Sequence, residues 1–238
     1  MAPRQVKVDI ISDIVCPFCL LGQKQLEGAV TKFNTAHPSA GIDPTIRFLP
    51  YQLSAENTSP EPRSKVKMYE DKFGPKAKDL RAQMADRFTA HGLTLHPAGE
   101  VSSSHRGHRL QTLALHKNPS QQPALAEDLF LAYHTDGIHP SDLDTLSTIA
   151  MKYKLFSSEA EAKEWLENGT EYDEEVTKGY RSAQQMGVTG VPFFIVDNKY
   201  AISGAVGEEA FVDFFEKTYG GKEAGAGAEP AGEDSVCA

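Results

Sequence analysis

Two cysteines spaced by two residues, Cys16-Pro17-Phe18-Cys19, are the side chains in this sequence best suited to covalent chemistry. They follow an apolar run over 8–15 and precede a stretch over 20–33 whose apolar residues recur at helical spacing. A strand, a Cys-x-x-Cys pair and then a helix is an arrangement for thiol–disulfide exchange. The first cysteine falls at the helix N-terminus, where unfilled backbone N–H groups and the macrodipole favour negative charge. That setting favours the thiolate of Cys16, the nucleophilic form of the sulfur. Pro17 suits the first turn, because its missing N–H needs no partner there. Cys19, within the same turn, is placed to attack a mixed disulfide formed on Cys16. The Pro17-Phe18 dipeptide brings no charge and no histidine. It therefore predicts a less acidic Cys16 and a less oxidising couple than a Pro-His dipeptide would, resting mostly as the dithiol in a reducing compartment.

The same pair could be half of a structural zinc site, but that needs a second pair of ligands. The third and last cysteine, Cys237, lies in a Gly/Ala/Glu-rich end, and no metal is expected. Cys237 reads as incidental, and as the penultimate residue it does not fit a prenylation signal. His105 and His108 share a helix face, a spacing open to metal, but with no evident acidic or cysteine partner they read as surface or structural histidines. Asp13 has two open readings: a proton acceptor near Cys19, or a strand-end carboxylate in water.

The 238 residues carry 24 Lys+Arg and 33 Asp+Glu, a net charge of -9. That balance argues against a nucleic-acid backbone or an anionic membrane as main partner. No apolar run approaches the roughly 20 residues a bilayer span needs. Residues 1–5 lead into a strand pattern without an apolar leader, so a cytoplasmic location is expected. Three cysteines are too few for a disulfide scaffold.

The elements that must position the pair can be read in order. Residues 6–12 form a buried strand and 45–49 a second one, halted by Pro50, giving a β-α-β unit. From residue 54 to about 171 the pattern is helical: 65–73, 76–91, 103–117, 124–135, 141–153 and a short helix opened by the capping-box pair Ser158 and Glu161. A helix over 171–186 follows. Short strands over 193–196 and 200–203, joined by Asp197-Asn198-Lys199, read as a hairpin. A last helix covers 208–218. The expected architecture is α/β: residues 1–53 and 171–219 build one discontinuous domain, 54–170 form a helical insertion, and 220–238 are a disordered tail.

Several motifs resemble the DsbA-like branch of the thioredoxin superfamily. The resemblance is narrower still to its FrnE-like group, named for a polyketide-cluster protein and related to 2-hydroxychromene-2-carboxylate isomerases and kappa-class glutathione transferases. The residues that carry it are Asp13 through Cys19 with Leu21-Gly22, His108-Arg109-Leu110, and Gly187 through Phe194 followed by Ser203-Gly204-Ala205. The resemblance implies a thioredoxin fold with a large all-helical insertion and a disulfide oxidoreductase. Cys16 and Cys19 would be catalytic, faced by a cis Pro192, and Val191 would offer backbone to an extended substrate. It implies substrate contacts from Pro17, Phe18, Val191, His108, Ser203 and Gly204. Glutathione is implied as a candidate co-substrate rather than a tightly bound cofactor, and a homodimer is left open. An alternative is a glutathione-dependent isomerase or transferase acting on an aromatic or polyketide-like metabolite. Those relatives carry Ser at the first cysteine; this chain keeps Cys16. It departs from its relatives in having Phe18 where they have Trp, and Ser103-Ser104 where they have Asn-Thr.

Overall fold

A computed structural model describes residues 2–220. The tail reading, except for Gly220, and Cys237 fall outside the described residues.

Strand β1 (Arg4–Ser12) is the spine of a four-stranded sheet. It pairs in parallel with β2 (Ile42–Pro50) and antiparallel with β5 (Phe193–Val196), which pairs with β6 (Tyr200–Ser203), giving the order β2-β1-β5-β6. Val6, Val8, Ile10 and Ile11 are all buried. Lys7 and Asp9 alternate with Val6, Val8 and Ile10, and Asp9, though buried, is paired with Arg47 of β2 at 2.6 Å. β2 is longer than its apolar residues suggest, since it includes Pro44 and Pro50. Both prolines are tolerated because β2 is an edge strand, where a missing N–H costs no ladder bond.

Helix α1 (Pro17–Ala36) crosses from β1 to β2 and packs on α9 (Glu208–Tyr219). Phe33 meets Phe215 edge-on at 5.9 Å and Phe194 meets Phe211 at 4.9 Å, knitting helices and sheet into one core. The β5–β6 hairpin turns through Asp197 and Asn198 at φ 51° and 54°. These residue types tolerate the left-handed region that a tight hairpin demands. Asp197 also locks the turn: its carboxylate accepts from the Lys7 amide at 2.9 Å and from the Tyr219 hydroxyl at 2.8 Å.

Between the two flanks run β3 (Arg63–Ser64), α2 (Lys65–Phe73), α3 (Ala77–Ala90), β4 (Glu100–Val101), α4 (His105–Lys117), α5 (Gln122–His134), α6 (Leu143–Lys152) and α7 (Glu159–Asn168), followed by α8 (Asp173–Gln185). Leu110, Leu113, Leu125, Leu129, Leu146 and Leu166 build a second core. Ser158 caps α7, accepting from the Glu161 amide at 3.2 Å, but the Glu161 carboxylate reaches one residue past the cap and accepts from the Ser157 amide at 2.9 Å, so the expected capping box is met in its first half only. The two-residue β3–β4 ladder was not legible, being too short to carry a periodic signal. Helix α8 starts two residues later than its pattern, because Tyr172 at its N-cap sits at φ 65°. Helices α2 and α3 form an outlying pair in which only Lys65, Ala77 and Phe88 are buried.

Candidate active site

The local turn places the first sulfur. Cys16 is the N-cap of α1, in extended conformation at φ -89° and ψ 112°, with Pro17 opening the helix. Its amide donates to the Asp13 carbonyl at 3.0 Å, and its carbonyl accepts from the Cys19 amide at 3.1 Å. Both thiols are free and buried. The Cys16 thiol donates to the Val191 carbonyl at 3.3 Å, so the segment predicted to face it does so. The Val191–Pro192 peptide is cis.

Gly22 explains why that loop can approach α1. A Cβ there would lie 2.9 Å from Pro192 Cγ and 3.0 Å from Phe194 Cζ, so only glycine leaves room. From the other side the Pro192 carbonyl accepts from the Gly204 amide at 2.8 Å, with Gly204 at φ 87°. Ser203 pairs with Phe193 across the hairpin, and its side chain faces outward. Phe18 is partly buried, with the Arg87 guanidinium 5.5 Å from its ring centroid.

Beside the cysteines the structure removes one of the two readings of Asp13. Asp13 is only 1% exposed, not a strand-end carboxylate in water. It accepts from the amides of Leu53 at 2.8 Å and Val15 at 3.3 Å, and its Oδ1 lies 3.4 Å from His108 Nε2. Burial pushes the Cys19 thiol well above its ordinary value. The hydrogen bond and charge of Cys16 and the charge of Asp13 act the same way, opposed by a backbone hydrogen bond from Asp13.

His108 sits under the site, fixed by Gln111 Oε1 at 3.0 Å from Nδ1, and is fully buried. It does not line the cleft beside Pro17. His105 and His108 do not act as a pair. His105 Nε2 is 3.0 Å from Asp173, and burial pulls its pKa down despite that partner. Among the described residues no group of three or more His, Cys, Asp or Glu side chains is arranged to hold a metal ion. Arg109, from the His-Arg-Leu motif, is a clamp: it donates to the carbonyls of Trp165, Leu166 and Glu171 and lies over the Trp165 ring.

The sequence reading missed one group of residues. A small cleft beside Pro17, with a cavity of about 20 Å³, is lined by Lys65 and Tyr69 of α2, Arg81 of α3, His96 and His134. Lys65 is 7% exposed, and its Nζ has no hydrogen-bond partner, lying 4.0 Å from the Tyr133 ring centroid. Burial, with the like charge of Arg81, lowers its pKa to about 8. His134 is fully buried. Its ring faces the carbonyls of Ile14 and Cys16, but neither nitrogen closes a well-aligned hydrogen bond. Burial, then Lys65, hold it well below the ordinary histidine range.

A thiol pair at a helix start, opposed by a cis-proline loop, agrees with the family comparison, in which residues 7–216 match the DsbA-like thioredoxin domain. The chain belongs to this DsbA-like family. A curated relative, the uncharacterised protein YwbO of Bacillus subtilis, is 25% identical over 220 residues, covering 87% of this chain and 94% of YwbO. A probable DsbA oxidoreductase of Streptomyces coelicolor, SCO1869, superposes with a TM-score of 0.76 at 24% identity, covering 94% of each chain. A 2-hydroxychromene-2-carboxylate isomerase shares the fold at TM-score 0.61 and 19% identity, covering 90% of this chain and 94% of its own. The cytosolic disulfide reductase DsbM of Pseudomonas aeruginosa, solved with glutathione, does so at 0.54 and 13%, covering 88% and 97%. The DsbA-like thioredoxin fold of the sequence reading is therefore correct.

Proposed function

We propose that this DsbA-like protein is a thiol–disulfide oxidoreductase working in a reducing cytosol, where it reduces small disulfides. The observation that carries the reading is the Cys16 thiol held against the Val191 carbonyl beside the cis Pro192, with a buried free thiol at Cys19. Cys16 thiolate attacks one sulfur of the substrate disulfide. A Cys16–substrate disulfide forms, and the other half leaves as a thiolate. Cys19 then loses its proton and attacks the Cys16 sulfur. The second half leaves as a thiolate, and two electrons have passed from the enzyme dithiol to the substrate.

The raised Cys19 thiol keeps the second sulfur protonated until it is needed. Asp13, buried beneath the pair, is the acceptor assigned to that proton. Val191 and Pro192 would present backbone to the substrate, with Pro17, Phe18, Ser203 and Gly204 around it. His108 would support Asp13 rather than touch substrate. In this reading the insertion over 54–170 covers the site and sets specificity, since α2 and α3 line its cleft. Regeneration of the dithiol falls to a thiol reductant; glutathione is the candidate, on the strength of DsbM having been solved with it.

Single-cysteine variants test the reading. Cys19→Ser should accumulate a Cys16–substrate disulfide visible by intact mass. Cys16→Ser should neither form that adduct nor reduce disulfides. Turnover by Cys16→Ser would overturn the proposal in favour of isomerase or transferase chemistry. A Cys16–Cys19 potential measured in a glutathione series, with insulin reduction read beside it, sets the direction of electron flow.

A further inference from the structure

Three features of the cleft call for a ligand. Lys65 is more than nine-tenths buried, yet its Nζ fills none of its three donors. No carboxylate offsets it, and the one charge that acts on it, Arg81, repels it. The chain as a whole has an excess of acidic residues, so an unpaired buried cation is not a matter of supply. Unpaired buried charge is unfavourable unless something arrives to meet it. The cleft also touches Pro17, one residue from the nucleophile, and His134, which faces the Cys16 carbonyl.

Cys16 itself is 2% exposed, so its sulfur sits behind a narrow opening. We propose that Lys65 and Arg81 form an anion subsite that holds a carboxylate of a low-molecular-weight disulfide while its sulfur is presented to Cys16. This rests on the redox reading of the cysteines and adds the substrate class. His96 and Tyr69 complete the polar wall, and the Tyr133 ring supports the Lys65 ammonium from behind. The groups that face Lys65 are Arg81 from α3, Tyr69 from α2, Tyr133 and His134 from α5, and His96 from the segment before β4. Lys65 itself loses its charge as pH rises through about 8, so anion binding should weaken there.

The test separates binding from chemistry by using the full chain with Cys16→Ser. Calorimetry compares the dianion 3,3′-dithiodipropionate with the neutral bis(2-hydroxyethyl) disulfide. The dianion should bind about 10- to 100-fold more tightly, the range of a charge-assisted hydrogen bond. Adding Lys65→Met should erase that preference, and Lys65→Arg should restore most of it. Equal affinities, or a preference that survives Lys65→Met, overturn the subsite. Reduction of both disulfides by the unsubstituted protein without charge preference leaves the redox reading intact and removes the subsite. Selective binding without reduction of either does the opposite.

Discussion

Replacing Lys65 with Met should make the protein more stable. In the folded chain the Lys65 ammonium titrates at about 8 rather than its ordinary 10.5. At about 1.4 kcal/mol for each pH unit, the charged form costs folding about 3 kcal/mol at neutral pH. Met fills a similar volume and needs no partner. The substitution also removes the contact with the Tyr133 ring, worth about 0.5–2 kcal/mol. The net expected gain is about 1–3 kcal/mol, or roughly 2–10 °C in Tm for a chain of this size. The sign of the pH dependence is fixed by the direction of the shift. The unfolded chain holds the Lys65 proton up to about 10.5 and the folded chain releases it above about 8, so native stability rises between those values. Urea denaturation at pH 7 and at about pH 9.5 should therefore show the gap between wild type and Lys65→Met shrinking at the higher pH. A Met variant less stable at pH 7, or a gap indifferent to pH, refutes the idea that an unmet charge sits in the cleft.

Three further outcomes follow from the geometry. Gly22→Ala pushes a methyl group against Pro192 and Phe194; denaturation should show a loss of about 1–3 kcal/mol, together with slower reduction of a small disulfide. Asp13→Asn removes one of the charges that hold the Cys19 thiol high, so Cys19 alkylation followed against pH in Cys16→Ser should shift its midpoint downward. The shift should be partial, because burial is the larger cause and remains. Arg109→Leu strips donors from the carbonyls of Trp165, Leu166 and Glu171. It should cost about 2–5 kcal/mol, and the fluorescence of Trp165, the single tryptophan, should report the loosening of α7.

The redox pair was legible because it has a local signature. An apolar run, a Cys-Pro start and a helical pattern lie within one stretch for the pair; the opposing loop was legible only through the resemblance that Gly187 through Phe194 carries. The Ser158 cap, like the pair, was legible from its local signature. The cleft was not. Lys65 and Arg81 look in sequence like solvated positions on polar helices, and α2 and α3 are exposed over most of their length. Lys65 is buried beside Tyr133 and His134, nearly seventy positions away in sequence. Asp13 stayed ambiguous because a carboxylate after a strand is usually wet. Its burial depends on Leu53 and His108, from two other segments. Tyr172 shows the limit at helix ends: a left-handed aromatic is held by tertiary contacts that no propensity scale encodes.

The side chain of Gln122, at the start of α5, is buried against the outer margin of β2. Its amide both accepts from the Phe48 N–H at 2.9 Å and donates to the Phe48 carbonyl at 2.7 Å, mimicking a neighbouring strand on the outer margin of β2. An unclaimed margin of that kind is where chains stack on one another. With β2 blocked at Phe48 in this way, β6 (Tyr200–Ser203) is the less obstructed edge of the four-stranded sheet.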